Sequence, residues 1–229
     1  MMVLQLVDLS EKSPLPEEAL RFVSSEKRKR LFHMVREEDK KRGLVGELLI
    51  RQAAGRRLEV PLQEVPIRRT RYGKPYIPGA GDFHVNISHS GCFVALAVGS
   101  RPIGVDVERM AEIDLKVAAR FFTPQEYAYI LSFADTRRRL RAFYTLWTLK
   151  ESYIKAVGKG LSIPLNSFGF RLDDDIRLER GPDREGYRFH TQHLVGGEEY
   201  WLSLCYREEG EWRIRRMTER EFYNGLGIL

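Results

Sequence analysis

The sequence predicts an α+β fold. It comprises two similar α/β subdomains, each an antiparallel sheet with packed helices, joined as an intramolecular pseudo-dimer. Three observations predict it. Segments recur in chain order at growing offsets: Val7-Asp8-Leu9 with Val105-Asp106-Val107, residues 21–26 with 120–126, 58–68 with 161–171, and 93–98 with 200–205. Such ordered drift fits a duplicated unit of about 100 residues. Each unit runs strand, helices, strands, the order of helices laid on an antiparallel sheet. No long linker or low-complexity stretch divides the halves, so the units are 1–101, an N-terminal pseudo-repeat, and 102–229, a C-terminal pseudo-repeat carrying an acidic site.

Each element has its own signal. Residues 1–8 are mostly apolar, lack a basic start and carry Asp8, which reads as an opening strand and not a signal peptide. Ser24-Ser25-Glu26 and Thr123-Pro124-Gln125-Glu126 are helix starts, a hydroxyl cap with acid in the first turn. Longer helices follow over about 37–57 and 136–157, the second stopped by Gly158-Lys159-Gly160. Turns fall at Tyr72-Gly73-Lys74-Pro75 and Gly79-Ala80-Gly81-Asp82, with strands around them. The stretch 181–197 is polar and contains glycine, and predicts a hairpin with a loose connection.

Composition narrows the function. Hydrophobic residues make up 43% and charged residues 31% of the 229, ordinary for a soluble globular protein. No apolar run approaches the roughly 20 residues that span a bilayer, so no membrane partner is expected. Cys92 and Cys205 lie in apolar strand-like runs and read as free thiols, which points to the cytoplasm. A net charge of +6 implies an anionic partner. The basic residues come in blocks, 27–30, 40–42, 68–71 and 137–141, without the interleaved aromatics of a single-strand nucleic-acid binder.

The chemistry concentrates in two motifs. Asp106 and Glu108 stand two apart in a strand, so both carboxylates leave one face. Glu151 and Lys155 stand four apart in a helix and share a face. Where strand and helix meet, three carboxylates and an ammonium converge, a hard-cation site beside a cation suited to phosphate. Taken singly, each pair also fits a polar edge strand or simple helix support. The first unit's counterparts are expected to be Asp8 and Ser10, and Glu47 with Arg51. Asn86-Ile87-Ser88-His89-Ser90-Gly91 forms a polar turn of hydroxyls, imidazole and backbone N–H groups able to receive phosphate, or a plain hairpin turn. Gly-x-Ser-x-Gly is absent, which argues against a serine hydrolase. Lys74 sits on a tight turn, either as a surface residue or as a nucleotide contact.

Taken together, Asn86-Ile87-Ser88-His89-Ser90-Gly91, Gly104-Val105-Asp106-Val107-Glu108, Phe121-Phe122-Thr123-Pro124-Gln125-Glu126-Tyr127 and Trp147-Thr148-Leu149-Lys150-Glu151-Ser152-Tyr153-Ile154-Lys155-Ala156 resemble the Sfp-type 4′-phosphopantetheinyl transferases over roughly residues 20–170. The resemblance implies a reaction. Coenzyme A, as substrate, donates its 4′-phosphopantetheine arm to a serine hydroxyl of an acyl or peptidyl carrier protein, and adenosine 3′,5′-bisphosphate leaves. It implies Mg2+, with Mn2+ as a substitute, held by Asp106, Glu108 and Glu151, with Glu126 acting through water. Glu151 or a metal-bound water takes the serine proton, and Lys155 lies against the phosphates. Lys27 and Arg30 hold the 3′-phosphate, Lys74 and Pro75 flank the adenine, and Ser88, His89 and Lys150 complete the coenzyme A contacts. The class carries both copies in one chain and works as a monomer, with no nucleic acid partner. Residues 110–123, with Phe121 and Phe122, and the arginines of 137–141 are a carrier-docking candidate, set against a reading as core phenylalanines beside a solvated face. Two other readings explain the charge: a basic nucleic-acid binder, which leaves the three acids without a role, and a magnesium-dependent phosphodiesterase, which needs no protein acceptor.

Overall fold

The computed structural model describes residues 2–11, 13–181, 186–207 and 210–228. The N-terminal lobe runs β1 (Met2–Asp8), α1 (Ser25–Phe32), α2 (Glu37–Leu58), β2 (Arg68–Arg69), β3 (Pro75–Tyr76), β4 (His84–Ser90) and β5 (Phe93–Gly99). The C-terminal lobe runs β6 (Ile103–Arg109), α3 (Ala118–Phe121), α4 (Pro124–Ser132), α5 (Thr136–Val157), β7 (Gly169–Leu172), β8 (Ile176–Arg180), β9 (Arg188–Val195), β10 (Glu199–Tyr206), β11 (Trp212–Thr218) and α6 (Glu219–Asn224).

The local signals act as expected. Ser24 accepts from the Lys27 N–H at the start of α1, and Thr123 closes a capping box with Glu126 on α4. Both long helices have 22 residues, and α5 ends on Gly158 in the left-handed region (φ 78°), where glycine carries no Cβ penalty.

The duplication is visible in the sheets. The N-terminal sheet contains the order β1-β5-β4 and the C-terminal sheet has β6-β10-β9, with every one of these pairs antiparallel. The two sheets face each other across a shared core of Met2, Leu4 and Leu6 from β1, Val105 and Val107 from β6, and Leu202 and Leu204 from β10. Helix α2 covers the outer face of the first sheet through Leu44, Val45, Leu48 and Leu49. Helix α5 packs a second core through Leu146, Leu149, Tyr153 and Ile154. Each fully buried leucine or isoleucine contributes about 1.5–3 kcal/mol.

The unit spanning 102–229 does not keep all its strands. β11 pairs in parallel with the free edge of β1, Leu4 opposite Ile214, and Phe222 and Tyr223 of α6 enter the N-terminal core. Residues 212–228 thus complete the first lobe, because β1 would otherwise leave an unpaired edge. The hairpin expected over 181–197 forms from β9, which turns through Gly196 and Gly197 into β10, while residues 182–185 lie outside the described ones.

Face parity corrects the assigned counterparts of the acidic pair. Asp8 stands on the same strand face as Leu4 and Leu6, the side of β1 in the core between the sheets. On β6 that face belongs to Val105 and Val107, whereas Asp106 and Glu108 occupy the other, toward α5. The ladders place Asp106 opposite Ser203 and Gln5 opposite Leu96. With 93–98 aligned to 200–205, Gln5 and Val7 are therefore the counterparts of Asp106 and Glu108. Asp8 instead pairs with Arg216 at 2.9 Å. The docking candidate is also redrawn: Phe122 is buried, edge-on to Phe143, and Phe121 packs edge-on to Trp147, so both serve the core. Cys205 is buried, Cys92 half-buried, and both thiols are free.

Candidate active site

The site lies where β4 of one lobe meets β6 and α5 of the other. Its foundation is a close approach of strand to helix at Gly104. A Cβ there would lie 2.0 Å from the Ser152 carbonyl oxygen and 2.5 Å from the Ala156 nitrogen. Only glycine admits that contact, and it presses the Asp106 face of β6 onto α5.

Asp106 is 2% exposed. Its Oδ1 accepts from Lys155 Nζ at 2.6 Å and from Ser88 Oγ at 2.9 Å, while its Oδ2 is buried without a hydrogen-bond partner. Glu108 accepts from Ser90 Oγ at 2.9 Å, and burial together with the Asp106 charge raises its carboxyl above the usual range. Glu151, half-buried, is pushed up to about 7 by burial and the charges of Asp106 and Glu108, with Lys155 opposing. Three carboxylates thus sense one another. Lys155 does not form the expected i,i+4 pair but reaches across to Asp106 and Ser88. The matching pair in α2 does form, Arg51 Nη2 to Glu47 Oε1 at 3.0 Å.

Among the described residues, no three His, Cys, Asp or Glu side chains are arranged to close on a metal ion by themselves. The donor set nevertheless suits a hard divalent cation that keeps water and substrate oxygens in its shell. The unbonded Asp106 Oδ2 is a ready ligand, and the burial and neighbouring negative charge that raise Glu108 and Glu151 are what a dication offsets.

Around the acids stands a ring of cations. His89 is exposed, and partial desolvation with the nearby Arg42, Lys155 and Lys27 holds its imidazole below the ordinary range. Burial lowers Lys27, and Arg69, Arg30 and Arg51 lower it further, against Glu47 at 4.0 Å. Arg30 is exposed and pairs with Glu26, a surface contact worth at most about 1 kcal/mol. A cleft of about 1390 Å³ opens alongside, lined from both lobes by Arg36, Lys41, Arg42, Ser90, Arg109 and Tyr200.

Three sequence expectations change. Lys150 is not a ligand contact: it is fully buried, donates to the Leu165 and Phe168 carbonyls at 2.8 and 2.6 Å, and pairs with Glu126 at 2.8 Å. Glu126 is spent in the same network, accepting from the Thr123 and Phe170 N–H groups. The pair ties α4 and α5 to the start of β7. Lys74 keeps its turn, on Gly73 at φ 84°, but its ammonium enters the protein and donates to the carbonyls of Ile103, Lys155 and Ala156 at 3.1, 2.6 and 2.9 Å. It caps the last turn of α5 from the opposite lobe, where the helix carries unpaired carbonyls and negative charge, and burial pushes it down to about 8. Pro75 beside it is buried as well. Lys74→Met is expected to lower stability by about 1–3 kcal/mol, since those carbonyls lose their donor. The check is a urea titration, and an unchanged midpoint would count against the inter-lobe cap.

The polar turn expected over 86–91 is instead the strand β4 as far as Ser90, and its Asn86 and Ser90 side chains bond β6. Their signal was present: Asn86, Ser88 and Ser90 are polar at every second position of a strand.

Comparison with known proteins finds matches over most of the chain. Two family models match in tandem: "4'-phosphopantetheinyl transferase, N-terminal" over residues 13–101 and "4'-phosphopantetheinyl transferase superfamily" over 102–205. The chain is 42% identical over 191 residues to 4'-phosphopantetheinyl transferase Sfp of Bacillus subtilis (strain 168), covering 82% of this chain and 84% of that protein. A second Bacillus subtilis 4'-phosphopantetheinyl transferase is 42% identical over 185 residues, covering 80% and 81%. The gsp enzyme of Aneurinibacillus migulanus is 44% identical over 146 residues, covering 64% and 60%.

Proposed function

The chain belongs to the 4′-phosphopantetheinyl transferase family, and from that premise we propose how its residues carry out the transfer. The substrate is coenzyme A and the acceptor a serine hydroxyl on an acyl or peptidyl carrier protein. The bond formed joins serine oxygen to phosphorus. The bond broken lies within the pyrophosphate, and adenosine 3′,5′-bisphosphate leaves. One observation carries the reading: Asp106 meets Lys155 and Ser88 at the lobe boundary with one buried oxygen left unbonded, close enough to Glu108 and Glu151 for its charge to raise both.

Asp106, Glu108 and Glu151 would hold Mg2+, or Mn2+ in its place, which supplies charge neutralisation to the pyrophosphate. Lys155 sits where negative charge gathers on the phosphoryl oxygens. Glu151 would accept the serine proton, the cation it helps to hold keeping its carboxylate ionised. Lys27 and Arg30 bind the 3′-phosphate, and His89 donates to a pyrophosphate oxygen. Ser88 acts on Asp106 and Lys155, with the phosphates reached through them. Supporting a monomer, the acids of one lobe and the cations of the other already meet in one chain. Cytoplasmic location is supported by the two free thiols. No helix among the described residues is long and apolar enough to cross a membrane.

Incubation with coenzyme A, Mg2+ and an apo-carrier protein tests the function. Mass spectrometry is expected to show one phosphopantetheine added to the carrier, and no addition across acyl and peptidyl carriers would overturn it. In the same assay Lys27→Ala is expected to raise KM for coenzyme A about 10–100-fold with kcat little changed, as a lost charge-assisted contact of about 1.5–3 kcal/mol implies.

A further inference from the structure

Strands β4 and β6 are both edge strands of their sheets, and they lie against each other at the lobe boundary without a backbone ladder. In its place stands a ladder of side chains. The Val105 N–H donates to Asn86 Oδ1 at 2.9 Å, the Val107 N–H to Ser88 Oγ at 3.3 Å, and the Arg109 N–H to Ser90 Oγ at 3.0 Å. Three donors on the outer edge of β6 are met by three acceptors spaced two apart on β4. Because both spacings have period two, the ladder fixes the register of one lobe against the other.

Two rungs act twice. While Ser88 accepts from Val107 it donates to Asp106, and while Ser90 accepts from Arg109 it donates to Glu108 at 2.9 Å. Each serine therefore holds both the backbone of β6 and the carboxylate on the adjacent residue. A hydroxyl has one hydrogen to give and lone pairs to receive, so the backbone N–H leaves each serine hydrogen only the carboxylate to point at. Ser90 does for Glu108 what Ser88 does for Asp106, with one difference: Asp106 is held by Lys155 as well, whereas Ser90 is the hydroxyl that orients Glu108.

We propose that Ser90 is a positioning residue for Glu108, and that the Asn86-Ser88-Ser90 ladder sets the acidic pair in place across the lobe boundary. The proposal rests on the transferase reading for its kinetic consequence, but the ladder itself concerns geometry and binding of the free protein. Outer partners that orient a metal-binding carboxylate typically change affinity or activity by about 10–100-fold when removed.

The test uses the full chain carrying Ser90→Ala or Ser90→Thr. Mn2+ binding to the coenzyme-free protein is measured by electron paramagnetic resonance, alongside kcat and KM for coenzyme A and amide hydrogen exchange at Arg109. Ser90→Ala is expected to weaken Mn2+ binding and lower kcat by about 10–100-fold, to leave KM for coenzyme A unchanged, and to lose protection at the Arg109 amide. Ser90→Thr keeps the hydroxyl and is expected to restore all three. Native Mn2+ affinity and kcat in Ser90→Ala would overturn the proposal, as would a Ser90→Thr protein as impaired as the alanine variant. If the unaltered protein transfers no phosphopantetheine yet loses Mn2+ affinity on Ser90→Ala, the transferase reading fails and the positioning role stands. An unaltered protein with neither Mn2+ binding nor transfer overturns both.

Discussion

Glu151→Gln is expected to lower phosphopantetheine transfer by about 10²–10⁴-fold, the usual contribution of a positioned base, and to make the protein more stable. The two effects have one origin. Burial and the charges of Asp106 and Glu108 push the Glu151 carboxyl up to about 7 from an ordinary value of 4.5. Between those values the folded state binds more protons than the unfolded chain, so stability falls as pH rises from 4.5 through 7. Glutamine keeps the shape and removes the charge, so without metal it recovers on the order of 1–3 kcal/mol at pH 7–8. Added Mg2+ favours the carboxylate, so it is expected to stabilise the unaltered protein more than Glu151→Gln and to shift the acid limb of the unaltered protein's rate profile below 7. Thermal melts with and without Mg2+ and single-turnover transfer measure both. A Gln variant that keeps its rate would remove Glu151 from the chemistry, and one that melts lower in metal-free buffer at pH 8 would contradict its place among like charges.

Lys150→Met is expected to give the largest loss of stability, about 3–5 kcal/mol, because it strands Glu126 as an uncompensated charge in the interior. Both members of that pair have fully buried side chains. For a chain of this length such a loss lowers the melting temperature by about 6–20 °C. KM for coenzyme A in the folded protein is expected to hold, which separates a structural lysine from a ligand contact. A second change, Glu126→Gln, removes the orphaned charge but sets an amide NH2 against the Thr123 or the Phe170 N–H, so it is expected to recover only a minor part of the loss. Denaturant melts of the two variants decide it, and a Lys150→Met protein of native stability with a raised KM would return Lys150 to the ligand site.

How much of this was legible in the chain depends on how local each determinant is. The caps at Ser24 and Thr123, the stop at Gly158 and the extents of α2 and α5 follow from neighbours within one helical turn, and they stand as read. The shared face of Asp106 and Glu108 follows from the strand period alone. The lysines are another matter. Lys150, Lys155 and Lys74 all have long stems that end in an ammonium, and nothing within a few residues says whether that end meets water, a carboxylate or a set of carbonyls. Lys155 meets Asp106, Lys150 the buried Glu126, and Lys74 the open end of a helix in the other lobe. Those partners are distant in sequence, so only packing selects them.

The chain by itself determined the duplicated α+β plan, the acidic pair on β6, the Glu151 face of α5 and, through the order of its motifs, the family. These depend on periodicity and capping, which are properties of short segments. The tertiary structure alone decided that β11 closes the first lobe, that Gln5 and not Asp8 mirrors Asp106, and that a row of hydroxyl and amide side chains joins two sheet edges. An edge strand offers its hydrogen bonds equally to any partner that fits. The choice among partners is made only when whole faces are buried together.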